Sequence, residues 1–253
     1  MVRISAIKYL NTIPFIYGLE SCDISKSIVM DFCTPAESAN KLIHDKTDLG
    51  IVPVAIIPSL KDAHVISNFC IGATAEVASV LLCSGTPINE INEIFLDNDS
   101  MTSVLLTKIL CRDYWKISPY FSPVNITNSI LDSSKSYLLI GDKAMLNRGK
   151  FKYVYDLAAE WISFKKKPFV FACWTANKPL DKNFIFQFNE ALEYGINHIP
   201  QAIEKYNIQF SKEFALNYLS TNISYLLDRD KRAGLTEFWR IALEILNPRV
   251  CWL

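Results

Sequence analysis

Strand-like and helix-like segments alternate along the first part of the chain, and this alternation restricts its fold more than any other feature. The apolar run "VRISAI" is followed by the helical pattern "TIPFIYGLE", and then by "SIVMDF", "PAESANKLIHD" and "TDLGIV". Pro35 suits the first turn of the second of these helices. Strands that alternate with helices are typical of βαβ units with a largely parallel sheet. We therefore predict an α/β protein.

A second alternating series begins after Gly85 and Pro87, which indicate a turn. It contains the strand "IFLD", the helix "SMTSVLLTKILCRDYW", the extended "PYFSP", the helix "NITNSILDS" and the strand "SYLLIGD". After "PFVFACW", residues 181–245 are predicted to be almost continuous helix. The runs "SVLLCS" and "PFVFACW" are candidates for two crossings between lobes. We expect one lobe from residues 1–84 plus 175–253, a second from residues 85–174, and a ligand cleft between them.

The charge balance and the cysteines exclude several kinds of partner and site. The 26 Lys and Arg residues match the 26 Asp and Glu residues, so no net field attracts nucleic acid or an anionic membrane. No stretch reaches the roughly 18 apolar residues of a membrane span, and the amino terminus lacks a secretory pattern. The seven cysteines contain no C-x-x-C pair, which favours reduced core residues. We expect a cytoplasmic monomer or homodimer with a small-molecule ligand.

Familiar catalytic motifs are absent from the sequence. It contains no G-x-G-x-x-G, no G-x-x-x-x-G-K-[ST] and no G-x-S-x-G, so dinucleotide, P-loop and hydrolase interpretations lose their main support. The histidines His44, His64 and His198 have no metal-ligand spacing. We expect neither a metal nor a cofactor.

Small polar residues remain at the carboxyl ends of predicted strands, where open α/β folds bind ligands. "KYLNTIPFIYGLE" places Tyr9, Asn11 and Thr12 at such a junction, and "LDNDSMTSVLLTKIL" opens a helix with Ser100 as its expected N-cap. A helix start can hold a carboxylate without any lysine or arginine, because its first N–H groups are unpaired. Capping is the alternative explanation for each of these residues.

Several motifs, taken in order, resemble the chorismate dehydratases of menaquinone biosynthesis. They are "YLNTIPFIYGLE", "SVLLCS", "LDNDSMTSVLLTKIL", "LLIGDKAM", "YVYDLAAEW", "PFVFACW" and "ISYLLDRDKRAGLTEFWRIA". The resemblance implies a periplasmic-binding-protein-like fold of type II, with two α/β lobes. It also implies a cytoplasmic enzyme without metal or organic cofactor that converts chorismate to 3-[(1-carboxyvinyl)oxy]benzoate and water. The related 1,4-dihydroxy-6-naphthoate synthases open with a different motif, of the Cys-Pro-Asn type.

The resemblance also implies a set of functional residues. The substrate-binding candidates are Tyr9, Asn11, Ser79, Thr102, Ser103, Gly141 and Trp174, and the catalytic candidates are Asn11 and Asp142. The base that removes the proton is either the substrate's own enolpyruvyl carboxylate, held by Asn11, or Asp142. Packing alone also explains Trp174. The chain departs from the family at Lys8, where serine is usual, and at Ala78, where a basic residue is common; Lys8 either replaces that charge or points away.

Two other classes of function share the predicted fold. A solute-binding protein of this fold normally carries a secretory signal or a lipoprotein cysteine, and a ligand-sensing regulator needs a helix-turn-helix. Neither feature is visible in the sequence. The dehydratase is therefore the function that the sequence favours.

Overall fold

The computed structural model of the chain describes residues 1–97, 99–124, 126 and 131–246. Most of the predicted helix "NITNSILDS" lies outside these residues, as does Cys251. The strands are β1 (Val2–Ile7), β2 (Ile28–Cys33), β3 (Leu49–Pro53), β4 (His64–Ala73), β5 (Val80–Ser84), β6 (Glu93–Asp97), β7 (Tyr120–Val124), β8 (Ser136–Ile140), β9 (Tyr153–Asp156), β10 (Phe169–Ala176) and β11 (Ser224–Leu226). The helices are α1 (Ile13–Ser21), α2 (Pro35–Ile43), α3 (Met101–Ile109), α4 (Gly141–Asn147), α5 (Leu157–Lys165), α6 (Lys182–Asn197), α7 (Ile199–Lys205), α8 (Lys212–Asn217) and α9 (Arg229–Leu246).

The described chain divides into two compact units. Unit 1 comprises Met1–Ala73 and Val170–Asp228, and unit 2 comprises Thr74–Phe169 together with α9. Unit 1 contains a six-stranded sheet of order β11-β4-β10-β3-β1-β2, in which β1 is parallel to β2 and β3 while β10 is antiparallel to β3. Unit 2 contains a five-stranded sheet of order β7-β6-β8-β5-β9, in which β6 is parallel to β7 and β8.

This division differs from the expected lobes of residues 1–84 plus 175–253 and of residues 85–174. Strand β5, which we assigned to the first lobe, lies inside the sheet of unit 2 between β8 and β9. Helix α9 also packs in unit 2, because Phe238 places its ring against Trp161 and Phe169 with centroids 6.1 and 5.1 Å away. The chain therefore passes between units three times, after residues 73, 169 and 228.

Local sequence signals account for several element boundaries. Thr34 caps α2 by accepting a hydrogen bond from the N–H of Glu37, whose carboxylate accepts the N–H of Thr34, and Pro35 occupies the first turn as predicted. The region predicted to be almost continuous helix is instead four helices, and β11 interrupts it by pairing with β4. No helix among the described residues has the length and apolar character needed to cross a membrane.

Helix α1 packs against α6 through two glycines. A Cβ atom on Gly18 would lie 1.8 Å from the carbonyl oxygen of Ala191, and one on Gly195 would lie 1.8 Å from that of Pro14. Real atoms do not approach so closely, so this crossing requires glycine at both positions. The close contact seats α1, the helix that follows the polar turn after β1.

Candidate active-site residues

The polar turn of unit 1 joins β1 to α1. It is a single 3-10 turn, Leu10–Thr12, in which the hydroxyl of Thr12 donates to the carbonyl oxygen of Tyr9 at 2.8 Å and to that of Ile7. Within the described residues, neither this turn nor α1 has a side chain that caps its start. The structure therefore does not give Tyr9 or Asn11 the capping role that was their alternative explanation.

Asn11 is held by its backbone. Its carbonyl oxygen accepts a hydrogen bond from the hydroxyl of Tyr225 at 3.0 Å, and the residue is 9% exposed. Tyr225 in turn sets its ring edge-on to Phe15, with centroids 5.2 Å apart. Burial raises the pKa of the Tyr225 hydroxyl well above its ordinary value, so this group remains a donor. Sequence reasoning missed Tyr225, although it lies in the quoted "ISYLL" motif.

Trp174, which we expected to line a ligand cleft, is a core residue of unit 1. It lies on β10 opposite Ile51, is 0% exposed, and packs edge-on against Phe15 and Phe188 with centroids 5.8 and 5.1 Å away. Its ring is enclosed by these aromatic neighbours in the core of the unit. The structure thus favours the packing explanation, and through Phe15 the indole helps to seat α1.

In unit 2, Ser79 and Gly141 lie side by side. Ser79 immediately precedes β5 and Gly141 immediately follows β8, and the two strands pair with Val80 opposite Ile140. The N–H of Gly141 donates to the carbonyl oxygen of Ser79 at 2.7 Å. Gly141 has a φ of 59°, in the left-handed region that glycine enters at little cost. Two residues that are 62 positions apart in the sequence are therefore neighbours.

The start of α3 lies at the same edge of that sheet. Strand β6 is parallel to β8, so the helices that follow them, α3 and α4, begin at neighbouring strand ends. The side chain of Ser100 accepts a hydrogen bond from the N–H of Ser103 at 3.4 Å, which confirms Ser100 as the N-cap. Thr102 and Ser103 are each 2% exposed. The structure thus brings together the candidate residues Ser79, Thr102, Ser103 and Gly141 at one end of the strands of this sheet.

An ion pair with one buried partner lies beside these residues. Asp142 is half-buried in the first turn of α4, and the next residue, Lys143, places its ammonium 2.5 Å from the carboxylate of Asp97 and 3.5 Å from that of Asp99. Asp97 is 1% exposed, and burial raises the pKa of its carboxyl although Lys143 acts in the opposite direction. Sequence reasoning missed this pair; the position of Asp97 at a strand end was its only signal.

A second carboxylate holds the turn before Ser79. Asp156 caps α5 by accepting the N–H groups of Ala158 and Ala159 at 3.1 and 3.2 Å, and it also accepts those of Val77 at 3.2 Å and Ala78 at 2.7 Å. Burial raises the pKa of its carboxyl, while the N–H groups of Ala78, Ala159 and Val77 lower it. Its N-cap position before "LAAE" could have been predicted, but its bonds to residues 77 and 78 could not.

The two positions at which the chain departs from the family have different environments. Lys8 is exposed, directly after β1, whereas Ala78 is 8% exposed and has a φ of 61°. The described residues contain no group of three or more His, Cys, Asp or Glu side chains placed to hold a metal ion. The candidate residues of units 1 and 2 therefore offer a ligand hydroxyl, amide and carboxylate groups, together with the backbone N–H groups of helix starts.

Several solved structures are similar to this chain at low sequence identity, and two of the three described here are periplasmic binding proteins or have their fold. A protein of Archaeoglobus fulgidus aligns with a TM-score of 0.77 at 15% identity, over 98% of both chains. A Candida albicans protein described as having the generic periplasmic binding protein structural fold aligns with a TM-score of 0.62 at 13% identity, over 96% of this chain and 90% of that one. The periplasmic aliphatic sulphonate binding protein of Escherichia coli gives 0.56 at 13% identity, over 98% and 94%. The predicted fold class is confirmed.

Sequence comparison is more specific. The chain is 24% identical over 225 residues to chorismate dehydratase of Thermus thermophilus, and the match covers 81% of this chain and 83% of that enzyme. A family model described as menaquinone biosynthesis matches residues 2–244. That match includes each of the candidate residues in both units.

Proposed function

The chain belongs to the menaquinone biosynthesis family, and from this premise we propose that it is a chorismate dehydratase. The reaction removes water from chorismate and yields 3-[(1-carboxyvinyl)oxy]benzoate, in the cytoplasm. The observation that carries the proposal is the similarity to the Thermus thermophilus enzyme over most of both chains. The polar residues at the strand ends of each unit support it, because a dianionic substrate needs fixed hydrogen-bond donors.

The chemistry of chorismate determines which groups the enzyme needs. Its ring proton at C3 is vinylogous to the ring carboxylate, and its C4 hydroxyl must leave. Because the two ring oxygens are trans, the C3 proton and the leaving hydroxyl lie on the same face. This syn arrangement favours stepwise loss. A base first removes the C3 proton, and the C–H electron pair delocalises into the ring carboxylate. Hydroxide then departs from C4, takes up that proton to form water, and the ring becomes aromatic.

The start of α3 suits the first of these steps. Negative charge builds up on the ring carboxylate when the proton is removed, and preorganised donors stabilise such charge without further reorganisation. In our proposal the hydroxyls of Thr102 and Ser103, with the N–H groups and positive dipole end of α3, fill this role. Both residues are buried, which strengthens their interaction with a charge.

The enolpyruvyl carboxylate of the substrate is the base that we propose, with Asn11 holding it in position. Asparagine is itself too weak a base. The absence of a capping bond at the turn that the structure describes around Asn11, and the anchoring of its carbonyl by Tyr225, support a positioning task for its amide. Asp142 is the alternative base, since it is a half-buried carboxylate in the first turn of α4.

Incubation of the purified, chelator-treated protein with chorismate tests the function. We expect ultraviolet absorbance and mass spectrometry to show the aromatic enolpyruvyl ether. Folded protein that binds chorismate without converting it would contradict the proposal and favour a solute-binding role. Folded protein that neither binds nor converts chorismate would favour a related activity, such as that of 1,4-dihydroxy-6-naphthoate synthase.

A further inference from the structure

The carboxylate of Asp156 makes more hydrogen bonds than a helix cap needs. One oxygen, Oδ1, accepts the N–H groups of Ala158 and Ala159 at the start of α5, and this alone completes the cap. The same oxygen also accepts the N–H of Val77 at 3.2 Å, and the other oxygen accepts that of Ala78 at 2.7 Å. Capping therefore does not require two of the four bonds, and one of these two, to Ala78, is the shortest of the four.

That shortest bond is made to a residue in an unfavourable conformation. Ala78 has a φ of 61°, where the Cβ of an L-residue crowds the backbone at a cost of about 1 kcal/mol. Glycine would adopt this conformation freely, yet the chain has alanine. Such a residue persists only where its surroundings fix it, and the bond to Asp156 supplies that restraint.

Ser79 follows directly and is fixed from the opposite side. Its carbonyl oxygen accepts the N–H of Gly141 at 2.7 Å, and β5 begins one residue later. Strand β5 pairs with β8 at Val80 and with β9 at Leu81, whose partner is Asp156 itself. The orientation of the Ser79 side chain therefore depends on the turn that Asp156 holds.

We propose that Asp156 is a positioning residue that sets Ser79 for substrate binding through the left-handed turn at Ala78. Asp156 does not touch the substrate in this proposal. The expected effect of Asp156 on turnover rests on the proposed dehydratase function. Its effect on the turn at Ala78 does not, because that is a property of the folded protein alone. The two parts can therefore be tested separately.

Replacement by serine separates capping from positioning. A serine hydroxyl caps a helix nearly as well as aspartate but is too short to hold Ala78 as well, so Asp156→Ser should keep α5 and release the turn. Asp156→Asn keeps the side-chain volume and one acceptor oxygen, and serves if the serine variant does not fold. The matched control is Asp181→Ser in unit 1, because Asp181 caps α6 through the N–H of Phe184 at 3.0 Å.

Amide exchange measured by NMR gives the first result, without any ligand. The N–H of Gly141 reports its bond to Ser79, and we expect Asp156→Ser to speed its exchange by about tenfold or more while α5 stays protected. Asp181→Ser should leave the exchange at Gly141 unchanged. Adding Ala78→Gly to Asp156→Ser should restore part of the protection, because glycine adopts the turn unaided. Unchanged exchange at Gly141 in both Asp156 variants would overturn the proposal.

Turnover of chorismate gives the second result. We expect Asp156→Ser to lower kcat/KM by about 10- to 100-fold, as the displacement of a binding group does. Adding Ala78→Gly should recover part of this loss. Because this glycine also relieves strain and so raises stability, turnover is compared only between variants that circular dichroism shows to be fully folded in the assay. Faster exchange with normal turnover would also overturn the proposal, because Ser79 would then not need its position. If the wild-type protein is inactive on chorismate, the proposed function fails, and the exchange data still decide whether Asp156 holds the turn.

Discussion

The N–H of Gly141 lies 2.7 Å from the carbonyl oxygen of Ser79 and donates a hydrogen bond to it. This bond closes the end of the β5–β8 pair, where two of the candidate residues meet. It depends on the left-handed backbone at Gly141, which turns the chain from β8 into α4. The position of Ser79 is thus coupled to the conformation of a glycine in another part of the sequence.

Replacement of this glycine should cost stability. We expect Gly141→Ala to lower the free energy of unfolding by about 1 kcal/mol, because alanine is disfavoured at a φ of 59°. Urea unfolding measures the change. Gly149→Ala is the matched control, since a Cβ there meets nothing within 4 Å, and it should alter stability by less than about 0.5 kcal/mol. Equal effects of the two changes would show that the left-handed backbone at position 141 does not disfavour alanine.

Asn11→Ala tests the amide of the unit 1 turn. Loss of one preorganised polar contact commonly costs about 10²- to 10³-fold in turnover, and we expect a loss of that size in kcat with chorismate. The fold should survive, because the Tyr225 hydroxyl bonds to the backbone of Asn11 and not to its side chain. The exposed Asn207 provides the control variant Asn207→Ala, which should keep full activity. Near-normal kinetics of folded Asn11→Ala would refute the proposed role.

The Asp97–Lys143 pair should be a large contributor to the stability of unit 2. Lys143→Met leaves the buried Asp97 carboxylate without its nearest cation, and we expect a loss of about 3 kcal/mol. The double variant with Asp97→Asn should lose less, because no buried charge is stranded. Lys212→Met breaks an exposed pair with Glu204 and should cost well under about 1 kcal/mol. A double variant less stable than Lys143→Met would contradict this account.

Unit 1 should lose stability in acid through Asp48. Hydrogen bonds from Arg3, and also from Lys178 at 2.7 Å, hold the pKa of this carboxyl well below its ordinary value. A lowered pKa means that Asp48 stabilises the fold above about pH 4, and that this contribution disappears as the pH falls toward the lowered pKa. Because Arg3 and Lys178 are half-exposed, we expect Asp48→Asn to cost only about 1 kcal/mol at pH 7.

Urea unfolding at pH 7, 5 and 3 measures this pH dependence. The difference between wild type and Asp48→Asn should narrow at pH 3, because Asp48 takes up a proton in the unfolded wild-type chain while the lowered pKa keeps it charged in the folded state. Glu190→Gln, at an exposed position, should track the wild type at each pH. A constant difference for Asp48→Asn across the three pH values would mean that its effect is not electrostatic.

Elements with a clear local sequence signal, such as an apolar run or a capping residue, were predicted correctly. Strand β1 coincides with "VRISAI", and Pro35 and Ser100 lie at helix starts, as their side chains predicted. Strand β11 was not predicted, because three residues are too few for a pattern and their conformation depends on pairing with β4. The unit to which α9 belongs was also missed, since an amphipathic pattern shows that a helix has a buried face but not what covers it.

The same distinction applies to the candidate residues. Thr102 and Gly141 could be chosen because they lie at strand-to-helix junctions, whereas Ser79 was chosen only through the resemblance to a family, which also gave the three residues their role. The contacts of Asp156 with residue 78 and of Lys143 with Asp97 join positions 78 and 46 residues apart, as the numbering shows. No pattern in a single sequence reports such distant pairs, so the supporting bonds appeared only in the structure.

The place of β10 in the six-stranded sheet has a consequence for synthesis on the ribosome. Strand β10 lies between β3 and β4, and the other neighbour of β4 is β11. While residues 1–73 emerge, β4 therefore has neither of its sheet partners, and both arrive roughly a hundred residues later at the earliest, some 5 to 20 seconds at typical elongation rates. During that interval the nascent chain carries an apolar strand without its sheet neighbours, and transiently exposed strands of this kind are prone to aggregation.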